Sequence, residues 1–190
     1  MSPARLLPQL VLDPRLVTLL LALAVSLLPV ALVAAATSPL GFTLDQTTLA
    51  ELRRSVPPDK LTELARSPDT ANTLIEVDPA AFDFDGPEQV LLIFERDQLG
   101  MVLLTIAKRR YRDVLAHLRA KYSVERESID NFMQNGVSIF RSGDDWILFN
   151  APHLSFSIGL NYVTNEVWHK TLRSIEEDDA KKRQQERGKL

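Results

Sequence analysis

The chain has 190 residues, is 45% hydrophobic and 25% charged, and carries a formal net charge of −3. These values bound a globular protein of one domain with appendages, and its charge gives no argument for a nucleic-acid partner. It contains no cysteine, which excludes disulfides, thiolate metal sites, a cysteine nucleophile and a lipid-bearing cysteine.

The N-terminus carries "LVTLLLALAVSLLPVALVAAA", residues 16–36, a run without a charged residue that follows Arg5 and Arg15. Ala34 and Ala36 satisfy the small-residue pattern of a signal peptidase, with Thr37 as the first residue after the cut. Residues 1–36 are therefore predicted to be a secretory signal peptide, and the mature protein to reside in the periplasm or beyond. The run is also long enough to span a bilayer, so an uncleaved inner-membrane anchor is the alternative. Either way the arginines stay cytoplasmic and the body is exported. Cleavage removes Arg5, Arg15 and Asp13, which takes the formal charge from −3 to −4.

The folded part is predicted to span residues 37–175, followed by a charged helical tail at 176–190. "GFTLDQTTLAEL", Gly41 to Leu52, has one glycine and no Walker lysine, so it is not a phosphate loop. Thr48 and Glu51 have capping-box spacing and open a helix that must end before Pro57-Pro58. Asp59 is placed to cap a second short helix with Leu61 and Leu64 on one face. "TLIEV" (Thr73 to Val77) reads as a strand. "QVLLIFERDQLGMVLLTIA", Gln89 to Ala107, reads as a hairpin turning at Arg96-Asp97-Gln98. Val90, Leu92 and Phe94 share one face, and Leu91 and Ile93 the other. Such two-sided hydrophobicity predicts a central hairpin covered on both faces, by helices or by a partner.

Arg109 to Tyr122 is helical, with Tyr111, Val114, Leu115, Leu118 and Tyr122 at helical spacing. "GVSIFRSGDDWILFNAP" is a hairpin turning at Ser142-Gly143-Asp144-Asp145. In "HLSFSIGLNY" the alternation puts Leu154, Phe156, Ile158, Leu160 and Tyr162 on one face of a half-buried strand. A final helix starts near Asn165, with Trp168, Leu172 and Ile175 as its apolar stripe. The predicted fold is α+β: helices on one face of an antiparallel sheet, in an order that suggests two αβ repeats.

No spacing points to catalysis, and no cofactor is expected. His117, His153 and His169 form no metal-ligand pattern, and no G-x-S-x-G elbow occurs. "DFDG" at Asp83–Gly86 echoes a calcium loop. With Gly86 as sixth residue, however, the first and last positions fall on Ala81 and Leu92, which supply no side-chain oxygen. "KRRYR" supplies Lys108, Arg109, Arg110 and Arg112, the one dense basic cluster ahead of the tail. These four are the candidate contact for an anionic membrane surface or an acidic partner.

The glycine-led opening after the apolar leader, the "VLLIFERDQLGMVLLTI" hairpin, the "VLAHLRAKY" helix, the strand ending in Tyr162 and the charged terminal helix together resemble small bacterial envelope proteins. The layout is similar to the small outer-membrane-assembly lipoprotein fold and to the beta-lactamase-inhibitor-type repeat. The resemblance implies helices on an antiparallel sheet that binds another protein, and it carries over no functional residues. The expected function is a non-enzymatic periplasmic interaction module whose partner is another envelope protein. The alternative is a small-ligand or lipid-binding domain with a cavity lined by Phe94, Leu103, Phe156 and Ile158.

Overall fold

A computed structural model describes residues 37–67, 71–82 and 86–187, without the side chains of 186 and 187. Asp83, Asp85, Ala34, Ala36 and the whole apolar leader lie outside the described residues. The described residues belong to a unit running from Ala34 to Leu190; a separate unit, Met1–Val33, lies outside them.

Among the described residues, three α-helices and eight strands follow in order: α1 (Leu49–Ser55), β1 (Leu61–Ser67), β2 (Asn72–Val77), β3 (Pro87–Glu95), β4 (Gln98–Ala107), α2 (Tyr111–Lys121), β5 (Ser123–Asp130), β6 (Asn135–Ser142), β7 (Asp145–Ala151), β8 (Ser157–Val163) and α3 (Asn165–Arg187). The fold is α+β. All eight strands form one antiparallel sheet in the order β1-β2-β3-β4-β8-β7-β6-β5. Each half is a four-strand meander preceded by a helix, and the halves join where β4 pairs with β8. The chain therefore travels through α2 from the centre of the sheet to its far edge.

The local signals explain most elements. The Thr48 hydroxyl accepts the Glu51 N–H, and the Glu51 carboxylate accepts the Thr48 N–H at 2.7 Å, so the capping box closes as its spacing predicts. The Thr48 N–H, and after it the Thr48 hydroxyl donating to the same carboxylate at 3.0 Å, hold the Glu51 carboxyl below its ordinary range. Arg96 and Asp97 turn the β3–β4 hairpin with φ of 50° and 67°, the left-handed pair that matches the twist of a two-residue hairpin. The β6–β7 hairpin turns at Gly143-Asp144, where predicted. α2 starts at Tyr111 rather than Arg109, because Lys108–Arg110 form a separate single 3-10 turn.

Register builds the core row by row. Val90, Leu104, Leu160 and Phe149 stand side by side across β3, β4, β8 and β7. Leu92, Val102, Tyr162, Ile147 and Phe140 form the next row. All are buried, together with Leu49 and Leu52 of α1 and Tyr111, Leu115 and Leu118 of α2. Both helices thus pack on this inner face. Tyr111 meets Phe149 edge-on at 5.4 Å, and Tyr122 meets Tyr162 at 6.4 Å.

Four expectations are corrected. Residues 61–67 are not a helix but edge strand β1: pairing with β2 outweighs the local helical pattern, and Leu64 sits in a bulge with its side chain exposed. β5, "SVERESID", escaped the sequence pattern because an exposed edge strand has no apolar alternation. Its bulge after Val124 and its charges blunt the free edge, as at β1. Strand β8 begins only at Ser157, so Leu154 and Phe156 stand outside the sheet in the preceding loop. In α3 Val167, against Gly100, and Trp168, stacked on Trp146, are the docked residues, while Leu172 and Ile175 are exposed. The helix touches the sheet only through its first turns.

Candidate interaction surfaces

The second face of the sheet carries the residues that two-sided hydrophobicity had marked. Leu74, Ile93 and Met101 form one outer row across β2, β3 and β4. Leu91, Leu103, Leu148 and Ile139 form another, interrupted by Asn161 on β8. These residues are half-buried, whereas their inner-face neighbours are buried. Among the described residues no helix lies over the second row. Of the helices described, α1 and α2 both go to the inner face.

The first turns of α3 cover one corner of this outer face. Trp168 stacks on Trp146 with ring centres 4.8 Å apart, and the Arg141 guanidinium lies over the Trp146 ring at 4.0 Å. Arg96–Glu166 and Lys170–Glu95 ion pairs, at 2.8 and 2.9 Å, tie the helix to the β3–β4 hairpin. Trp146 Nε1 donates to Asn165 Oδ1 at 3.1 Å. From Thr171 to Arg183 and on to Gln185 every side chain is exposed. Leu172 and Ile175 are among these exposed side chains.

A groove of about 720 Å³ lies on the inner side, between α2 and the segment around Leu40 and Phe82. Leu104, Ile106, Leu160 and Tyr162 form its floor, and Arg110, Asp113, His117 and Lys121 its rim. Burial raises the Tyr162 phenol above its ordinary range, with the neighbouring Tyr122 adding to the effect. This groove is not the cavity expected from sequence. Phe94 and Ile158 are sealed in the core, Leu103 belongs to the outer face, and Phe156 is solvent-exposed. Alternation assigned Phe156 to β8, which starts only at Ser157, and Leu103 stands on the face of β4 opposite Val102 and Leu104.

The basic cluster leaves the end of β4. Lys108 N–H donates to the Phe156 carbonyl at 2.8 Å, and its ammonium donates to the Pro152 carbonyl at 3.0 Å. Arg110 lies 3.8 Å from Asp113. Arg109 and Arg112 are exposed and make no ion pair among the described residues. The structure therefore brings the four bases to one end of the sheet, next to the β7–β8 loop. His117 and His169 are exposed, and His153 Nδ1 lies 3.0 Å from Asn135 Nδ2. Among the described residues, His, Asp and Glu form no group of three with metal-binding geometry.

Thr37 reaches the opposite end. It is buried, its N–H donates to Asp145 Oδ2 at 3.3 Å, and its carbonyl accepts from Leu44. Burial raises the Asp145 carboxyl above its ordinary range, and the contact with Thr37 offsets part of that rise. Asp45 is raised as well, first by burial and then by Asp145, Glu166 and Glu95. Sequence patterns missed this acidic group, since its members come from four separate elements.

No protein-family model, curated protein or solved structure matches the chain.

Proposed function

We propose that this is an exported, non-enzymatic protein-interaction module of the cell envelope that grips another envelope protein with the open face of its sheet. The observation that carries the reading is the half-buried outer-face row of Leu91 and Leu103, then, across Asn161, Leu148 and Ile139. Contiguous apolar surface of this kind marks interaction sites in soluble proteins. Flat sheet faces with an aromatic anchor at the rim suit a protein partner better than a small molecule. Leu91 and Leu103 of that row lie in the hairpin whose two faces are both apolar in the sequence.

On this reading residues 1–36 are a signal peptide, and hydrolysis of the Ala36–Thr37 bond leaves a Thr37 ammonium beside the Asp145 carboxylate. The two helix-plus-meander halves are two copies of one αβ unit, in keeping with the resemblance to envelope folds that present a sheet to a partner. Leu91→Lys and Leu103→Lys test the reading. Both sites already touch water, so circular dichroism and unfolding midpoints should hold while cross-linked capture of the partner is lost. Unchanged capture would sink the proposal.

The groove beneath α2 favours a second reading, a small apolar ligand held against Leu104, Ile106 and Leu160. Denaturing mass spectra of purified protein decide it: a stoichiometric lipid supports the ligand reading, and bare protein removes it.

A further inference from the structure

The end of the sheet where the basic cluster lies carries bare apolar side chains. Phe132 is 92% exposed, Leu154 84% and Phe156 95%, with Met133 also exposed. Single exposed hydrophobes are ordinary. These four are grouped on the β5–β6 turn and the β7–β8 loop, and the two are joined. Gly136 pairs with Ala151, and Asn135 lies in contact with His153. The turn is held in shape: Asp130 Oδ1 accepts the N–H groups of Phe132 and Met133, at 2.9 and 3.0 Å. Gly136 adopts φ +120°, where a side chain would collide with the Ser128 carbonyl.

Bases surround these side chains. Lys108 is hydrogen-bonded into the β7–β8 loop, and Arg109 follows it, exposed. Arg112 lines a cleft of about 370 Å³ together with Arg119, Leu115 and Asn131, the residue that precedes Phe132. The acids of this end are mostly engaged. Asp113 faces Arg110, Asp130 holds its turn, Glu127 takes Arg119, and Asp78 takes Lys60 at 2.7 Å. Exposed Asp59 and Glu88 are the exceptions, and Asp83 and Asp85 lie outside the described residues. At the other end of the sheet Asp45, Asp97, Asp144 and Asp145 gather, while Glu95 and Glu166 are paired with Lys170 and Arg96.

We propose that this end of the sheet docks on an anionic lipid bilayer: Phe132, Leu154 and Phe156 enter the interfacial layer, and Lys108, Arg109 and Arg112 meet headgroup phosphates. Apolar tips ringed by cations match the headgroup–acyl boundary, where buried apolar area and electrostatic attraction add. The tips project from separate turns and form no shaped surface. A fluid medium accommodates that arrangement, whereas a folded partner requires complementarity. The acidic far end favours one orientation, with the basic end toward the anionic surface. This inference needs no protein partner and stands apart from the outer-face reading.

Residues 16–36 are apolar enough to bind lipid themselves, so the test on the full chain must read insertion locally. The chain has no cysteine, so Phe156→Cys or Met133→Cys carries a single polarity-sensitive dye, with Asp144→Cys at the acidic end as control. The labelled protein is mixed with vesicles of phosphatidylglycerol and phosphatidylcholine containing bromine-labelled acyl chains. Quenching is expected at positions 156 and 133 and not at 144. Arg109→Gln with Arg112→Gln should lower the tip-insertion constant by roughly twentyfold, since each base near such a surface is worth about fivefold. Unquenched tips, equal quenching at both ends, or insertion indifferent to lipid charge would overturn the proposal. So would shielding of the tip dyes from aqueous iodide as protein concentration rises without vesicles, which would assign the tip to self-association.

Discussion

Replacing Tyr111 by phenylalanine should make this protein more stable, against the usual sign for a buried tyrosine. Tyr111 is 1% exposed, and its hydroxyl has no hydrogen-bond partner among the described residues. Burial accordingly raises its phenol above the ordinary range, with Arg119 opposing and Glu127 and Asp130 reinforcing. A buried hydroxyl without a partner costs about 1–3 kcal/mol. The ring itself stays: its edge-on contact with Phe149 at 5.4 Å needs no oxygen. Removing the oxygen also forfeits its dispersion contacts, each only about 0.1–0.2 kcal/mol. The net expectation is a gain of about 1 kcal/mol. Urea unfolding should show the midpoint rising by roughly 0.5 M at unchanged slope, given a slope of about 2 kcal/mol/M. In a thermal scan the gain corresponds to about 2–4 °C. A loss of about 1 kcal/mol or more would refute the reasoning, because it would mean that the hydroxyl is hydrogen-bonded in solution.

Gly136→Ala should destabilise by more than about 2 kcal/mol, since φ +120° and the Ser128 carbonyl both oppose a Cβ; equilibrium unfolding within about 0.5 kcal/mol of the parent would contradict this. Glu127 accepts two hydrogen bonds from Arg119 and one from Ser138, which holds its carboxyl below the ordinary 4.5. Its folded pKa is depressed, so its contribution is present above 4.5 and is lost as pH falls through the depressed value. Glu127→Gln should therefore cost less than about 1 kcal/mol at neutral pH, and the difference should vanish in acid; a gap that persists in acid would contradict the linkage. Mass spectrometry of protein from the periplasm should give Thr37 as the N-terminus. Asp145→Asn should then cost the processed chain about 1 kcal/mol and spare an unprocessed one, in which the Thr37 amide carries no charge. Equal cost in both forms would mean that the Thr37 amine does not matter.

Sequence and structure agree wherever the signal is local. Thr48 and Glu51 close a capping box within one turn of helix. Arg96-Asp97 and Gly143-Asp144 are tight turns between apolar runs, and both hairpins lie where these residues put them. The two-faced apolarity of Gln89 to Ala107 located the central strands. Disagreements arise where tertiary pairing decides. Leu61–Ser67 has helical spacing but becomes a strand because β2 offers it a backbone ladder. Residues 123–130 carry no apolar alternation to read, because an edge strand facing water buries almost nothing. Leu154 and Phe156 keep the period of β8 into a loop that leaves the sheet, so periodicity alone joined them to a core they do not enter. The surfaces were legible only in part. Lys108 to Arg112 stood out as a basic run, but the apolar tips beside it come from turns 20 to 50 residues away in the chain, and only the sheet register assembles them.

Site-specific photo-cross-linking in intact cells tests the central claim most directly. A photoreactive amino acid is placed at Leu103 on the outer face, at Leu104 in the core and at exposed Arg54 on α1. One discrete adduct with an envelope protein from position 103, lost when Leu91 is changed to lysine, is the expected result. No adduct at 103, or the same adduct from position 54, would contradict the open face as the binding surface.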